Sequence, residues 1–405
     1  MKILHLLSTA RWSGAAEPAF LLCRELSRRG HEVRIAFSYP FQGRRISSRN
    51  LRRFRPRLWA EQTPLQHESL MRDKAAEMGL ERMAEFRLNV YANVRDNLND
   101  FQLLRRLIRQ GAYDVLHCHL QHAHVLAVLA RVGLGDNCRL VYSHHGGKPV
   151  GGNLWTRWLI GHRTDHVVTF CPEVAESYQT RLGLSNRRVS LLKGGIDLSL
   201  FESPPDGHSL RKRWNAPEGC LIVGMVGRMQ KKRDQATLLR AVAQLGAGPH
   251  RLRCLLIGRG EDRDQLEALC GELGILDRVR FAGYLEDDYL DGLAAMDVFA
   301  YTAPGSDASC RALIEAMAMG KPVLAARRAA APLLIEPGKT GFLFEPGDAA
   351  GLADHIQRFL DNPAMARDFG KQGRVKAFRE FSCARVAEEV EKIYERLLDP
   401  PARLN

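Results

Sequence analysis

Two carboxylates eight residues apart, Asp307 and Glu315, stand where a turn gives way to a helix-forming run. The apolar segment 297–302 stops at Pro304-Gly-Ser-Asp307, Ala308 to Met319 are good helix formers, and Gly320 ends them. Eight residues is just over two turns, so both acids fall on about one face of the predicted helix or its entry. The free N–H groups and positive dipole end of such a helix suit an anion or a hydroxyl-rich ligand. A capping Asp and a solvated Glu account for the same residues with no ligand at all. A second pattern, His117-Cys-His-Leu-Gln-His-Ala-His124, places histidines alternately on a predicted strand, where they could ligate zinc. No second cluster supplies further ligands, and Cys118 should point away from both neighbouring histidines, so no metal is expected. Glu286-Asp-Asp288 reads as a helix start and not as an acidic metal motif.

The 405-residue chain exceeds the usual size of one hydrophobic core, which predicts two domains. Its 45% hydrophobic and 26% charged residues fit a soluble globular protein, and no apolar run reaches membrane-spanning length. The apolar stretch after Lys2 is too short for a signal peptide and suits a buried first strand, so a cytoplasmic protein is expected. Nine cysteines, without a Cys-x-x-Cys pair, sit mainly in apolar segments and read as small hydrophobes in a reducing compartment. The net charge of +13 is uneven, because eleven arginines face two glutamates between Arg24 and Arg57. Phospholipid headgroups, a phosphorylated acceptor or nucleic acid would be drawn to such a cluster. Phe41, Phe54 and Trp59 favour a membrane surface, which predicts peripheral contact with an anionic membrane and no nucleic-acid partner. A solvated basic face explains the arginines equally well.

The elements that must position these groups alternate as in an α/β protein. Lys2 to Leu7 reads as an apolar strand, 8–17 as a turn-rich segment, Pro18 to Arg29 as a helix, and 30–36 as its end and a second strand. Residues 40–95 are Arg-rich and poorly periodic, a mobile insertion with one or two helices, closed by a helix from Asn99 to Gln110. Strands at 113–119, 140–147 and 166–170 follow, and 188–197 ends the first half. A Pro/Gly-rich linker, 203–207, precedes a second series at 221–227, 252–257, 279–282, 298–302, 322–326 and 341–344. Two consecutive doubly wound sheets are the economical architecture, with domains at 1–200 and 208–380 and a helical tail at 381–405 that crosses back to the first. In such sheets ligands bind at the carboxyl ends of the strands, and two sets of ends can face each other across a cleft.

With the elements in place, the motifs resemble the retaining glycosyltransferases of the GT-B fold, family GT4, which move a sugar from a nucleotide-sugar donor to an acceptor. The strongest is Asp307, seven residues, then Glu315-Ala-Met-Ala-Met-Gly-Lys-Pro-Val323. Supporting motifs occur in order: Gly14-Ala-Ala-Glu17, Gly30-His-Glu-Val33, Asp114-Val-Leu-His117, Lys193-Gly-Gly-Ile-Asp197, Val226-Gly-Arg228, Ile257-Gly-Arg-Gly-Glu261 and Gly341-Phe-Leu-Phe-Glu-Pro-Gly-Asp348. The resemblance spans the chain outside the insertion.

The resemblance implies that Arg228 and Arg233 hold the diphosphate, with Lys232 the alternative in the run Lys231-Lys-Arg233. A departing diphosphate needs fixed cations and N–H groups beside it. It also implies that Glu315 accepts ribose hydroxyls, Asp307 accepts donor-sugar hydroxyls, and the N–H groups of Ala308, Ser309 and Cys310 face sugar and phosphate. From the first domain, the loop of Gly14, Ala15 and Glu17 would lie near acceptor and phosphate. His145, or His144 if the register slips by one, would lie near the donor sugar. Catalysis then falls to His145, Asp307 and Arg228, as front-face attack assisted by the leaving phosphate, without metal or cofactor. The implied product is bacterial envelope glycan, lipopolysaccharide core or polysaccharide, made from a UDP-sugar and a glycan or glycolipid acceptor. A nucleotide-sugar epimerase and a non-catalytic nucleotide-sugar binder are the competing readings. The chain departs from the family at Ala15, at Ala308-Ser-Cys310 and at Ala329-Ala-Ala-Pro-Leu333, where glycines are common.

Overall fold

The structure, a computed structural model, describes residues 1–9, 12, 14–38, 64–88, 94–135, 138–246, 251–285, 287–303 and 310–399. The chain divides into two compact units. One comprises Met1–His145, Pro149–Leu192 and Cys383–Asn405; the other comprises Gly146–Lys148 and Lys193–Ser382.

The first unit contains seven strands: β1 (Lys2–Leu7), β2 (Glu32–Phe37), β3 (Glu81–Arg82), β4 (Val115–Cys118), β5 (Arg139–His144), β6 (His166–Thr169) and β7 (Val189–Leu191). They pair in parallel in the order β3-β2-β1-β4-β5-β6-β7. A parallel sheet needs a crossover between neighbours and is covered on both faces, which is why β4 and β6 are buried at every position. The short strand β3 lies within the segment expected to be an insertion, and it extends the sheet beyond β2. The helix that closes this segment is Val94–Arg109, starting five residues earlier than the sequence suggests. Its buried Asp100 accepts from the backbone N–H groups of Arg87, at 2.9 Å, and Leu88, at 2.7 Å.

The first long helix is Ala16–Arg28, so Glu17 belongs to a helix and not to a loop. Glu17 suits the first turn, where a carboxylate meets the positive dipole end, and Pro18 there removes an N–H that has no intrahelical partner. Against this helix packs the last one, Cys383–Leu398, which buries Cys383, Ala387, Val390 and Tyr394 at three- and four-residue spacing. Glu391 on the same helix bonds Arg29 and the ring of His31, both at 2.6 Å.

The second unit contains β8 (Leu221–Val226), β9 (Leu252–Ile257), β10 (Val279–Gly283), β11 (Val298–Tyr301), β12 (Val323–Ala326) and β13 (Gly341–Phe344). These are also all parallel, in the order β10-β9-β8-β11-β12-β13. All nine cysteines are buried and none forms a disulfide. Among the described residues no helix is long and apolar enough to cross a membrane.

Where β8 and β9 end, their loops lie backbone against backbone. Gly227 donates to the Ile257 carbonyl at 2.9 Å and Met229 to that of Arg259 at 3.0 Å. A Cβ on Gly260 would stand 2.0 Å from the Met229 carbonyl oxygen, which explains the second glycine of Gly258-Arg-Gly260. Gly260→Ala is therefore expected to cost the second unit about 2–3 kcal/mol, the range of core overpacking. Urea unfolding would read this as a lowered midpoint; an unchanged midpoint would show that the loops part without cost.

Candidate functional site

In both sheets the strand order reverses at one place, between β1 and β4 and between β8 and β11. Beyond the carboxyl ends of strands at such a reversal, loops diverge and leave room for a ligand.

In the second unit the loop after β8 carries Arg228 and the turn Lys231–Arg233. Its main chain is held from three sides. Gln235 donates its side-chain amide to the Arg228 carbonyl, Thr302 beyond β11 donates its hydroxyl to the Arg233 carbonyl, both at 3.0 Å, and Met229 bonds the β9 loop. Arg228, Lys231 and Lys232 are exposed and Arg233 is half-buried. Asp234, left-handed at φ 55°, then opens the helix Gln235–Gln244 and accepts from the Thr237 hydroxyl at 2.7 Å. A fixed backbone thus presents basic side chains at the strand-order reversal. Thr302 and Gln235, which do the fixing, have no signature in the sequence beyond their place at element ends.

Glu315 is not the solvated acid that its helical position allows. It is 4% exposed, its Oε1 accepts from Arg311 Nε at 2.7 Å, and its Oε2 accepts from the Tyr289 hydroxyl. Neither partner is apparent in the sequence, because Tyr289 comes from a helix, Tyr289–Ala294, far away in the chain. The Glu315 helix runs from Arg311 to Ala318, three residues later at its start than helix propensity suggests. Cys310 precedes it in the left-handed region, at φ 50° and ψ 43°, and that conformation cannot continue an α-helix. Asp307, Ala308 and Ser309 lie outside the described residues. Ala329, the other position where glycine is common, also keeps a left-handed backbone, at φ 51°. Both positions thus hold a left-handed backbone without a glycine. Ala15, by contrast, sits at φ −98° and needs no glycine.

In the first unit the reversal is occupied by histidines. His5 on β1 and His117 on β4 are register partners, and their rings stack with that of His119, just beyond β4. His5 Nδ1 is 2.8 Å from His119 Nε2, and His119 Nδ1 is 3.3 Å from His145 Nε2. His117 lies between the Tyr394 hydroxyl at 2.5 Å and the Ser143 hydroxyl at 2.7 Å. His144 is held separately, by the Tyr178 hydroxyl at 2.8 Å. The sequence pairs His117 with His119 but misses His5, which supplies the third ring from the opposite strand. Imidazole nitrogens of His5, His117 and His119 all fall within 4.8 Å of one another. Gly14 is exposed, Ala15 is half-buried and Glu17 lies in the first turn of its helix.

Burial pushes His5 down to about 3. His145 is lowered to about 4 by burial and by neighbouring His144. His117 and His119 lie well below the usual imidazole range, first through burial and then through the adjacent rings. All four rings are therefore neutral near pH 7.

Two doubly wound parallel sheets, one presenting fixed cations at its reversal and the other a histidine group, define a GT-B type of architecture. Residues 12–200 match the family described as Glycosyltransferase Family 4, and residues 207–376 match Glycosyl transferases group 1. The chain belongs to this family of glycosyltransferases. It is 25% identical over 386 residues to N-acetyl-alpha-D-glucosaminyl L-malate synthase of Bacillus anthracis, covering 93% of this chain and 92% of that protein. Over 238 residues it is 30% identical to the lipopolysaccharide core biosynthesis glycosyltransferase LpsE of Rhizobium meliloti, covering 57% of this chain and 64% of the relative. Its fold is similar to that of HepE from Anabaena, solved in complex with UDP, with a TM-score of 0.75 at 20% identity over 98% of this chain and 100% of that one.

The buried histidines set the sign of a pH effect. Their folded pKa values lie below the unfolded value near 6.5, so the unfolded chain takes up more protons as pH falls. Stability of the first unit is fully present above about pH 6.5. It is lost progressively toward pH 4, by up to about 1.4 kcal/mol per ring for each pH unit. Melting temperature should change little between pH 8 and 7 and drop clearly between pH 6.5 and 5. A flat profile across the second interval would contradict neutral burial of these rings.

Proposed function

We propose that the protein is a retaining, metal-independent hexosyltransferase that takes its sugar from a UDP-sugar and extends a glycan or glycolipid of the bacterial envelope. What carries the reading is the stiff loop of Arg228 to Arg233 at the reversal of the second sheet. A diphosphate leaving with about two negative charges is stabilised by preorganised cations that need no rearrangement when the bond breaks. Arg228 and Arg233 take that role, with Lys232 in reserve. Glu315 bonds the ribose hydroxyls through lone pairs that Arg311 and Tyr289 leave over, since a carboxylate offers about four acceptor sites. Asp307 holds the donor sugar, with the N–H groups of Ala308, Ser309 and Cys310 beside it. In the first unit His145 serves the donor sugar, and Gly14, Ala15 and Glu17 serve acceptor and phosphate. The departing phosphate itself takes the proton of the incoming hydroxyl, so attack occurs on the face the phosphate leaves and configuration is kept. The UDP preference draws on HepE, and the envelope product on LpsE.

Peripheral contact with an anionic inner membrane face belongs to the same reading, with the protein itself cytoplasmic. Among the described members of the arginine cluster, Arg24 and Arg28 pair with Glu25, Arg29 with Glu391 and Arg34 with Glu81. The contact therefore rests on Arg44 to Arg57, outside the described residues. Vesicles containing anionic lipid should sediment the protein and neutral vesicles should not; equal sedimentation with both would reject a charge-driven contact.

Calorimetry against UDP-, GDP- and ADP-sugars tests the donor directly. Arg228→Ala is expected to weaken UDP-sugar binding about 10- to 100-fold, the worth of a charge-assisted bond, without a shift in melting temperature, because the side chain is exposed. Glu315→Ala should weaken binding similarly and also lower the melting temperature, because it removes a buried carboxylate that accepts from Arg311 and Tyr289. Absence of binding to every donor would reject the enzyme reading. Binding with no transfer to any acceptor would favour the non-catalytic binder, and a changed donor sugar without acceptor would favour the epimerase.

A further inference from the structure

Three rings in line, His5, His119 and His145, share two contacts of hydrogen-bond length, 2.8 and 3.3 Å. A neutral imidazole carries one proton on two nitrogens, so a chain of such rings has only two settings. Either every ring donates toward His145, or every ring donates toward His5. His5 decides between them. Its Nε2 is buried and has no hydrogen-bond partner. If the chain ran toward His5, that nitrogen would carry a proton with nothing to receive it, and orphaned buried N–H groups are rare in folded proteins. With the chain running toward His145, the buried orphan is a bare nitrogen, and both N–H groups between the rings have an acceptor. His117 does not disturb this choice, since the hydroxyls of Tyr394 and Ser143 on its two nitrogens can each donate or accept.

We propose that His5 and His119 are positioning residues that hold His145 in one tautomer, with Nε2 accepting from His119 and the proton on Nδ1. His145 then offers a fixed N–H donor at Nδ1. This deepens the reading of His145 as a group that serves the donor sugar, and rests on it. A metal held by His5, His117 and His119 is the competing use of the same rings. Nitrogens bound to one tetrahedral zinc, each about 2.0–2.1 Å from it, stand about 3.3 Å apart. The 2.8 Å between His5 Nδ1 and His119 Nε2, on stacked rings, is the spacing of a hydrogen bond instead.

The test is nitrogen NMR of the whole protein labelled with ring-15N histidine, with the His145 signals assigned by their loss in His145→Gln. In the wild type, Nε2 of His145 should carry the shift of a bare nitrogen and Nδ1 that of a protonated one. His5→Asn, whose amide nitrogen stands in for Nδ1 as donor, should keep that pattern. His5→Leu should move the two signals toward each other as the tautomers mix. With UDP-glucose, or whichever donor sugar calorimetry selects, kcat should fall tenfold or more in His5→Leu while KM changes less than twofold, and His5→Asn should restore kcat. The proposal is overturned by a protonated Nε2 in the wild type, by an unchanged pattern in His5→Leu, or by one zinc per chain whose chelation moves the three ring signals. Because the NMR pattern is read without turnover, an inactive protein with the expected pattern would count against the activity and leave the tautomer assignment standing.

Discussion

The structure depends on parallel backbone pairing. Parallel strands all end at the same edge of a sheet, so every chain reversal that follows a strand is forced to that edge, and both faces must be covered by helices. Polar groups that would be costly in the body of such a sheet become affordable where the strand order reverses and the covering loops part. Both units use that place, but differently. The second unit keeps its backbone pinned and lets cations extend into solvent. The first fills the place with imidazoles that satisfy one another.

Neutral imidazoles are well suited to that filling. Each ring both donates and accepts, so a short row can satisfy nearly all its members without recruiting water, at the cost of surrendering its protons' freedom. The row also couples distant chain segments, since His5 and His119 are 114 residues apart. Tyr394 adds a third segment through His117. The deep placement lowers the affinity of these rings for protons, and the first unit's sensitivity to acid follows from that one fact.

Much of this was legible from residue order. Apolar runs bounded by glycine located the strands, because a strand buried on both faces has no polar alternation to confuse the reading. The register from Asp307 to Glu315, with its Ala-Met-Ala sequel, located the acidic helix and its family. What the sequence did not reveal depends on contacts across the sheet. His5 looks like one polar residue in an apolar strand until β1 is laid against β4. Tyr289 looks like an ordinary helix-start residue until its hydroxyl meets Glu315. The helix start at Arg311 was missed because propensity counts Ala308 as helical, whereas Cys310 is left-handed and an α-helix cannot run through it. The same holds for Ala329. Loss of glycine there reads as a changed backbone, while the structure keeps a left-handed residue at both positions, at about 1–2 kcal/mol each.

The helix Cys383–Leu398 follows the second unit in the chain yet completes the unit whose strands precede it. Its Tyr394 and Glu391 meet His117, Arg29 and His31, all made nearly three hundred residues earlier or more. The second unit, apart from its short piece at Gly146–Lys148, is continuous from Lys193 to Ser382 and can close as it emerges. The first must wait with one helix missing, its apolar surface along Ala16–Arg28 uncovered, until Cys383–Leu398 has been made. At about 5–20 residues per second, that interval is on the order of ten seconds to a minute. During it, the nascent chain carries a ready binding face for chaperones and for the helix Cys383–Leu398.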